Sequence, residues 1–512
     1  MVKLAKRISL VSGFTVVSRL LGLVRDILFF SCFGISLIGD AFILAFTIPN
    51  LFRRMLGEGT LSSAFIPVYS DTNKELSKHH SDQILNQVVT RLILILGLIV
   101  VVICFFSWLA HRNGWHEETK WSDALFLNSI IFPYVIAICI SAILVGALNV
   151  HGKFFAGAFS PVILNLSMIG CLFTFSVYFS EGGLFLAVCL CVAVLVGGFF
   201  QLILPWFQLR KQLSWKWRFD LSGSPGLERI KGLFFVGVFG AAVGQINILV
   251  SRFLAYSLED KGALSYLFLS ARLIELPLGV FAVSISTVFF PQLSQYFSSG
   301  NKNAYNESFS KGFRLTLGVL FPASVGMSFL ADSILNVLFQ WGEFGRGDVE
   351  VAAEILRISC LALPFYGIAA YFVKVFHSQK DMKIPLRAAV ISFFTNLLLS
   401  LYLMQKYGMH GLAWANVGSS VVQTIYLGIK LKEIPAISFF WQKSFSIVQI
   451  ILSSLVMFLF LYLINEQNLF GEDKWDNILK LVLLIPLGVL VYGLILFLLK
   501  FPDFQNLRNK IP

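Results

Sequence analysis

Residues 18–26 read SRLLGLVRD, inside a run from about residue 8 to residue 33 that is otherwise apolar enough to cross a membrane. Three formal charges, Arg19, Arg25 and Asp26, stand where a spanning helix should carry none. The rest of the chain decides whether the run is a span. Of its 512 residues 57% are hydrophobic and only 13% charged, and the mean hydropathy is +0.78. Soluble domains sit nearer half apolar and a quarter charged. Apolar runs of about 18 residues or more recur from end to end, the pattern of an all-α polytopic membrane protein.

The net charge of +12 is not gathered into a basic domain. Small Lys/Arg clusters lie between the apolar runs, as in the cytoplasmic loops of membrane proteins, so nucleic acid is not an expected partner. The seven cysteines fall in apolar spans and form no C-x-x-C pair, so neither zinc nor a disulfide framework is indicated. The basic start (Lys3, Lys6, Arg7) could open a signal peptide. The apolar run that follows contains arginines and lacks a small-residue cleavage site, so it is expected to stay as the first helix.

Turn and charge signals divide the chain into about fourteen spans of ~20 residues. With the N-terminus inside, the loops expected to be cytoplasmic hold roughly 24 Lys/Arg against 6 outside. The richest is residues 206–231, WFQLRKQLSWKWRFDLSGSPGLERIK. An even number of spans puts both termini in the cytoplasm. AFIPVYS at 64–70 is echoed by VFFPQLS at 288–294, with Phe65/Phe289, Pro67/Pro291 and Ser70/Ser294 matched at one offset. Transporters are commonly built from such repeats. The expected organisation is an N-terminal lobe of six helices (1–205), a basic cytoplasmic linker (206–228) and a second six-helix lobe (229–432). Two additional helices and a cytoplasmic tail (433–512) complete it.

A charge at mid-membrane costs about 2.5–3.5 kcal/mol on the mildest scale. Arg19 and Arg25 are separated by roughly 9 Å along a helix and about 120° around it, so they can line a wide cavity but not one narrow face. The second span, GDAFILAFTIPNLFRRMLGEG at 39–59, carries Asp40 at its outer end, then Asn50 after the kinking Pro49, then Arg53, Arg54 and Glu58. Arg54 is read as an anchor at the inner interface and Arg53, on another face, as the cavity residue. In the eighth span, SARLIELPLGV at 270–280, Arg272 stands three residues before Glu275, a spacing that also allows a local ion pair. Arg91, Lys374 and Lys480 are expected to snorkel to the interface, and Arg252 and Arg357 to do the same or to pair locally. Arginine holds phosphate and carboxylate oxygens bidentately and stays charged when desolvated. Arg19, Arg25, Arg53 and Arg272 therefore point to a cationic cavity for a multiply anionic substrate.

These strings, SRLLGLVRD, DAFILAFTIPNLFRRMLGEG…SSAFIPVYS and ARLIELPLGVFAVSISTVFFPQLS, resemble the MurJ (MviN) lipid II flippases of the MOP exporter superfamily, over nearly the whole chain. The resemblance implies two six-helix lobes in a V plus two C-terminal helices that help form a groove for a polyprenyl tail. It implies transfer of the undecaprenyl-diphosphate-linked precursor, lipid II, from the inner to the outer leaflet of the bacterial cytoplasmic membrane by alternating access. The four arginines match the family's cavity arginines, and Asp40 and Glu58 its acidic residues at the two ends of the second helix; with Asn50 and Glu275 they are the candidate gating or cavity-lining residues. No cofactor is implied. Coupling to membrane potential or a monovalent cation is, and contact with the peptidoglycan-synthesis machinery is open. Ala271 stands where some members have Asp. The candidate cation spans offer Asn247, Asn396 and Asn416 but no Asp, so no metal site is assigned.

Other readings are a flippase for another polyprenyl-diphosphate-linked oligosaccharide and a cation-coupled drug exporter of the same superfamily. The arginines count against the exporter. A membrane enzyme would need a catalytic signature, and no G-x-x-x-x-G-K-[ST], H-E-x-x-H or G-x-S-x-G string is present.

Overall fold

Proline shapes the second span and its counterpart in the other half. A computed structural model describes residues 2–57, 60–113, 120–178, 183–432, 445–467, 469–471 and 473–503. All regular structure there is helical. After α1 (Val2–Phe33), α2 (Leu37–Phe52) runs into a π-helical turn (Arg53–Gly57) and then α3 (Thr60–Glu75). Pro49 has no N–H to give, and the ladder shifts register just beyond it. Side chains on either side of the proline bond back onto the helix: Thr47 Oγ1 donates to the Ile43 carbonyl at 2.6 Å and Asn50 Nδ2 to the Phe46 carbonyl at 3.0 Å.

The chain continues through α4 (Lys78–Arg112), α5 (Trp121–Ile131), α6 (Tyr134–Val150), α7 (Phe155–Tyr178), α8 (Leu184–Leu213) and α9 (Pro225–Ser257). Then α10 (Ala263–Pro277) passes at its own proline into a second π turn (Leu278–Ala282) and α11 (Val283–Ser298). There follow α12 (Lys302–Phe329), α13 (Ala331–Phe339), α14 (Arg346–Cys360), α15 (Leu363–Ser378), α16 (Lys383–Lys432), α17 (Phe445–Glu466) and α18 (Lys474–Leu498). The echo of 64–70 in 288–294 is thus one part of a longer correspondence. The first residues of α4 and α12, Lys78 and Lys302, stand at the same offset of 224 residues as Phe65 and Phe289. The π turns recur within one residue of it. Gly183, before α8 (φ +138°), likewise has a counterpart within one residue of that offset, the non-helical Gly408 inside α16 (φ +52°).

Among the described residues nine helices are long and apolar enough to cross a membrane, and a tenth forms if α5 and α6, bent by 43° at their junction, are one span. Length and apolarity alone therefore deliver fewer spans than the fourteen expected; α1, α2 and α9, which carry Arg19, Arg25, Asp40 and Arg252, are not among them, whereas α10 with Arg272 and Glu275 is.

Packing divides the chain into two compact units: residues 1–256 with 341–344, and residues 257–340 with 345–512. This boundary falls after α9, whereas the sequence places a linker at 206–228; the segment 433–444, where the additional helices were expected to begin, lies outside the described residues. The first unit's core holds Phe65, Leu85, Ile143, Leu144, Leu209 and Trp215. The second packs Phe309, Phe313, Tyr371, Phe372, Ile450 and Leu496. The last two helices are fastened to α12 by polar contacts as well. Arg314 pairs bidentately with Asp503, both contacts at 3.0 Å, and Tyr492 donates to the Gly318 carbonyl at 2.7 Å.

Within the first unit, residues 341–344 close against the end of α1. The Glu343 amide donates to the Ser31 carbonyl at 2.9 Å, and the Phe344 ring meets Phe30 edge-on at 5.8 Å. Gly342 makes this approach possible: its φ is +56°, and a Cβ there would lie 2.3 Å from the Ser31 oxygen. Gly342→Ala should therefore destabilise the protein by about 1–3 kcal/mol, read as a lower melting temperature in detergent. Gly347→Ala, in α14 with open space around it, should be neutral or raise stability by up to about 1 kcal/mol. Equal behaviour of the two variants would show that the hook at Ser31 does not form.

Candidate functional site

The two arginines of SRLLGLVRD lie on different faces of α1 and in different surroundings. Arg25 is only 7% exposed and Asp26 only 8%. Neighbours on a helix do not normally face each other, but the long arginine stem curls back. Nε and Nη2 both donate to Asp26 Oδ1, at 3.0 and 2.6 Å. Nη1 donates to Asn165 Oδ1 on α7 at 3.1 Å, and Asn165 Nδ2 in turn donates to the Ser18 carbonyl at 3.0 Å. The buried guanidinium is neutralised by its own neighbour and oriented by an amide from another helix.

Arg19 is exposed. It lines a cavity of about 390 Å³ between α1, α6 and α7, with Thr15, Ser18, Asn149, Phe154 and Pro161 around it. One permanent cation among hydroxyls, an amide and apolar walls suits an anionic group carried on an apolar body.

On α2, Asp40 is 3% exposed and sits in the first turn, where the helix dipole favours a carboxylate. Ser36 caps the same end, accepting from the Gly39 amide at 3.1 Å. The side chain of Asn50 is turned onto its own helix, as described above. Arg53 is half-buried in the π turn, and Arg54 beside it is exposed. Glu58 lies outside the described residues.

In the second unit Arg272 and Glu275 form the local pair that their spacing allows, at 3.1 Å. The Arg272 guanidinium also lies over the Phe268 ring, 5.2 Å from its centre. Asn396 and Asn416 meet across the Gly408 break in α16, Nδ2 to Oδ1 at 2.9 Å. Among the described residues no group of three or more His, Cys, Asp or Glu side chains converges as a metal site.

Several charges behave otherwise than their positions in the sequence imply. Arg252 on α9 donates to Thr47 Oγ1 on α2, a partner 205 residues away, instead of snorkelling or pairing locally. Arg357 pairs with Asp332 on α13. Arg91 donates to the carbonyls of Leu221 and Ser222, both at 2.9 Å. Asn165 and Thr47 were not singled out from the sequence. Their only sequence signal is a polar side chain in an apolar span, which many structural residues share.

A sequence model of the family described as lipid II flippase MurJ matches residues 29–498. A protein of Buchnera aphidicola named probable lipid II flippase MurJ is 32% identical over 472 residues, covering 90% of each chain. A protein of the same name from Vibrio cholerae is 31% identical, covering 84% of each. A solved structure titled lipid II flippase MurJ, inward closed conformation, superposes with a TM-score of 0.78 at 31% identity, over 95% of this chain and 97% of that one. An inward-facing multidrug resistance MATE transporter of the MOP superfamily, at 14% identity and TM-score 0.65, shares the fold; it covers 83% of this chain and 96% of its own.

The Arg25 cluster gives an ordered expectation. Asp26→Asn leaves a buried cation uncompensated and should cost about 3–5 kcal/mol. Asn165→Ala removes one hydrogen bond to a charge and should cost about 1.5–3 kcal/mol. Melting temperatures of the purified variants check the order; an Asp26→Asn protein as stable as wild type would mean that Asp26 is not the counter-ion.

Proposed function

The chain belongs to the MurJ lipid II flippase family, and from that premise we propose that it carries lipid II from the inner to the outer leaflet of the bacterial cytoplasmic membrane by alternating access. The observation that carries this reading is the family match along residues 29–498, which includes two of the four arginine positions read as substrate ligands, Arg53 and Arg272. Arg19 and Arg25 stand just before the match, Arg19 at an anion-compatible cavity.

In this reading Arg19, Arg25, Arg53 and Arg272 hold the diphosphate and carboxylates of the head group, and Asp40, Asn50, Glu58 and Glu275 line or gate its path. The geometry gives the arginines distinct tasks. Arg19 is open to a ligand as it stands. Arg25 is engaged by Asp26 and Asn165, so an anion reaching it has to take the place of one of them. Arg272 would likewise exchange Glu275 for substrate. Such exchanges keep the charge compensated throughout, which matters where an unpaired cation is costly.

The polyprenyl tail needs no carrier of its own. Removing it from apolar surroundings would cost about 0.8 kcal/mol per CH₂, so it stays in lipid while only the head group is enclosed. Both termini lie in the cytoplasm in this reading, as the charge bias favours. The drive comes from membrane potential or a monovalent cation, without a cofactor. Contact with the enzymes of peptidoglycan synthesis is a further part of the proposal. A drug exporter fits less well, since a cavity lined by arginine repels cationic cargo.

The test is outer-leaflet labelling of lipid-linked precursor in cells depleted of their own flippase. Wild type should restore the label. Arg19→Ala at matched membrane levels should lower it about tenfold to a hundredfold, the loss expected for one charge-assisted hydrogen bond to substrate. A well-inserted but inactive wild type would instead favour another polyprenyl-diphosphate cargo. Full activity of Arg19→Ala would remove that residue from the substrate path.

A further inference from the structure

The segment joining α8 to α9 is short and extended, and it carries base and bulky apolar side chains in alternation: Lys216, Trp217, Arg218, Phe219. It is not loose. Its backbone is tied along one side of α4, residue by residue. Lys78 Nζ donates to the Leu213 carbonyl, and the Arg218 amide donates to Asn86 Oδ1 at 3.4 Å. The Asp220 amide donates to Thr90 Oγ1 at 3.1 Å, and Arg91 takes the carbonyls of Leu221 and Ser222. Gln87 then secures the return, giving its amide to Ser222 Oγ at 3.0 Å and accepting from Ser224 Oγ at 2.6 Å. Trp215 is buried at the root, its ring 5.1 Å from that of Trp206.

These contacts set the height of each residue. From Lys78 to Arg91, α4 rises roughly 20 Å. Directly after Arg91 begins the stretch Leu92–Ile93–Leu94–Ile95, whose Leu94 and Ile95 are exposed on the protein surface, as is Leu98 farther on. Such a row belongs against lipid. The segment therefore climbs α4 from well outside the bilayer, and its far end arrives where the apolar zone starts.

The side chains follow the same gradient. At the far end Phe219 is 60% exposed and Leu221 54%. Below them Lys211, Lys216 and Arg218 are exposed and make no ion pair among the described residues. The one acid of the segment, Asp220, is turned onto Ser222, whose amide it accepts at 2.7 Å. Burial would raise the Asp220 carboxyl, but the Ser222 hydroxyl and amide, with Arg91 nearby, hold it below the usual carboxylate range. It stays an anion committed to the turn and leaves the three cations uncompensated.

We propose that residues 213–224 form a lipid-docking strap: Phe219 and Leu221 enter the acyl boundary beside α4, and Lys211, Lys216 and Arg218 bind the head groups of acidic phospholipids. Apolar side chains at bilayer height with uncompensated cations just outside are complementary to an anionic leaflet. A water-borne protein partner could meet the cations but would not reach an apolar tip at the level of the acyl chains. The hydrogen bonds to α4 preorganise the strap, so lipid binding does not have to order it.

The experiment uses the full chain in nanodiscs of phosphatidylcholine containing a fixed fraction of brominated phosphatidylglycerol or, separately, brominated phosphatidylcholine. Phe219→Trp reports from the tip, as its fluorescence difference from the parent protein with its 10 tryptophans. Quenching by both lipids, stronger with phosphatidylglycerol at low salt, is the expected result. Each cation changed to Gln (Lys211→Gln, Lys216→Gln, Arg218→Gln) should weaken that preference about fivefold, since each basic residue near an anionic surface contributes about 1 kcal/mol. Lys302→Gln, an exposed cation at the start of α12, should leave it unchanged. All four side chains are exposed, and matched melting temperatures confirm intact folding. No quenching by either lipid overturns membrane docking and points to water or a protein over the strap. Equal quenching by both overturns the selectivity for acidic lipid.

Discussion

No water is at hand inside a bilayer to hydrogen-bond a freed backbone group, so every amide and carbonyl must find its partner within the protein. That constraint makes the spans helical and makes each interruption of a helix expensive. The chain nevertheless interrupts the same span in both halves, at Pro49 and at Pro277, and recovers each time through a π turn. Thr47 and Asn50 return side-chain hydrogen bonds to the carbonyls of the turn before them. π turns inside helices gather at functional sites. One of these carries Arg53, and the other follows Arg272 and Glu275 in the next turn of chain.

Charge obeys the same rule. Arg25 is admitted to the interior because Asp26 neutralises it and Asn165 fixes its orientation, while Ser18 satisfies the Asn165 amide. Arg252 and Arg357 find partners on other helices. Arg19 differs in lining a cavity. Among the described residues, then, Arg25, Arg252 and Arg357 have partners built in, whereas Arg19 is exposed at its cavity.

The long helices also extend the structure beyond the apolar zone. α4 continues past its lipid-facing part and becomes the spine for the connection between α8 and α9, with Arg91 at the change from one regime to the other. α12 plays a related part in the second unit, receiving the two additional helices through Arg314 and Gly318. Arg91 and Arg314 hold carbonyls and a carboxylate that arrive much later in the chain, and the late Tyr492 hydroxyl in turn donates to the early Gly318 carbonyl.

Hydropathy, proline positions and the echo of 64–70 in 288–294 were enough to read an all-helical membrane protein with a duplicated plan. Those features follow from local rules: an apolar run longer than a bilayer is thick must be helical, and a proline must break the ladder wherever it stands. The Arg272–Glu275 pair was legible for the same reason, being one helical turn long. What the sequence could not reveal was which distant side chain meets which. Asn165 stands 140 residues from Arg25, Thr47 stands 205 from Arg252, and Arg91 is read by carbonyls 130 residues away. Nor could the sequence show that α9 packs with the first unit, or that Arg25 is sealed while Arg19 is open. Sequence determines where a charge must be compensated, because the cost of leaving it bare in lipid is set by the medium. Only the tertiary structure decides by what, because the compensating group is whichever polar atom the packing of helices brings within 3 Å.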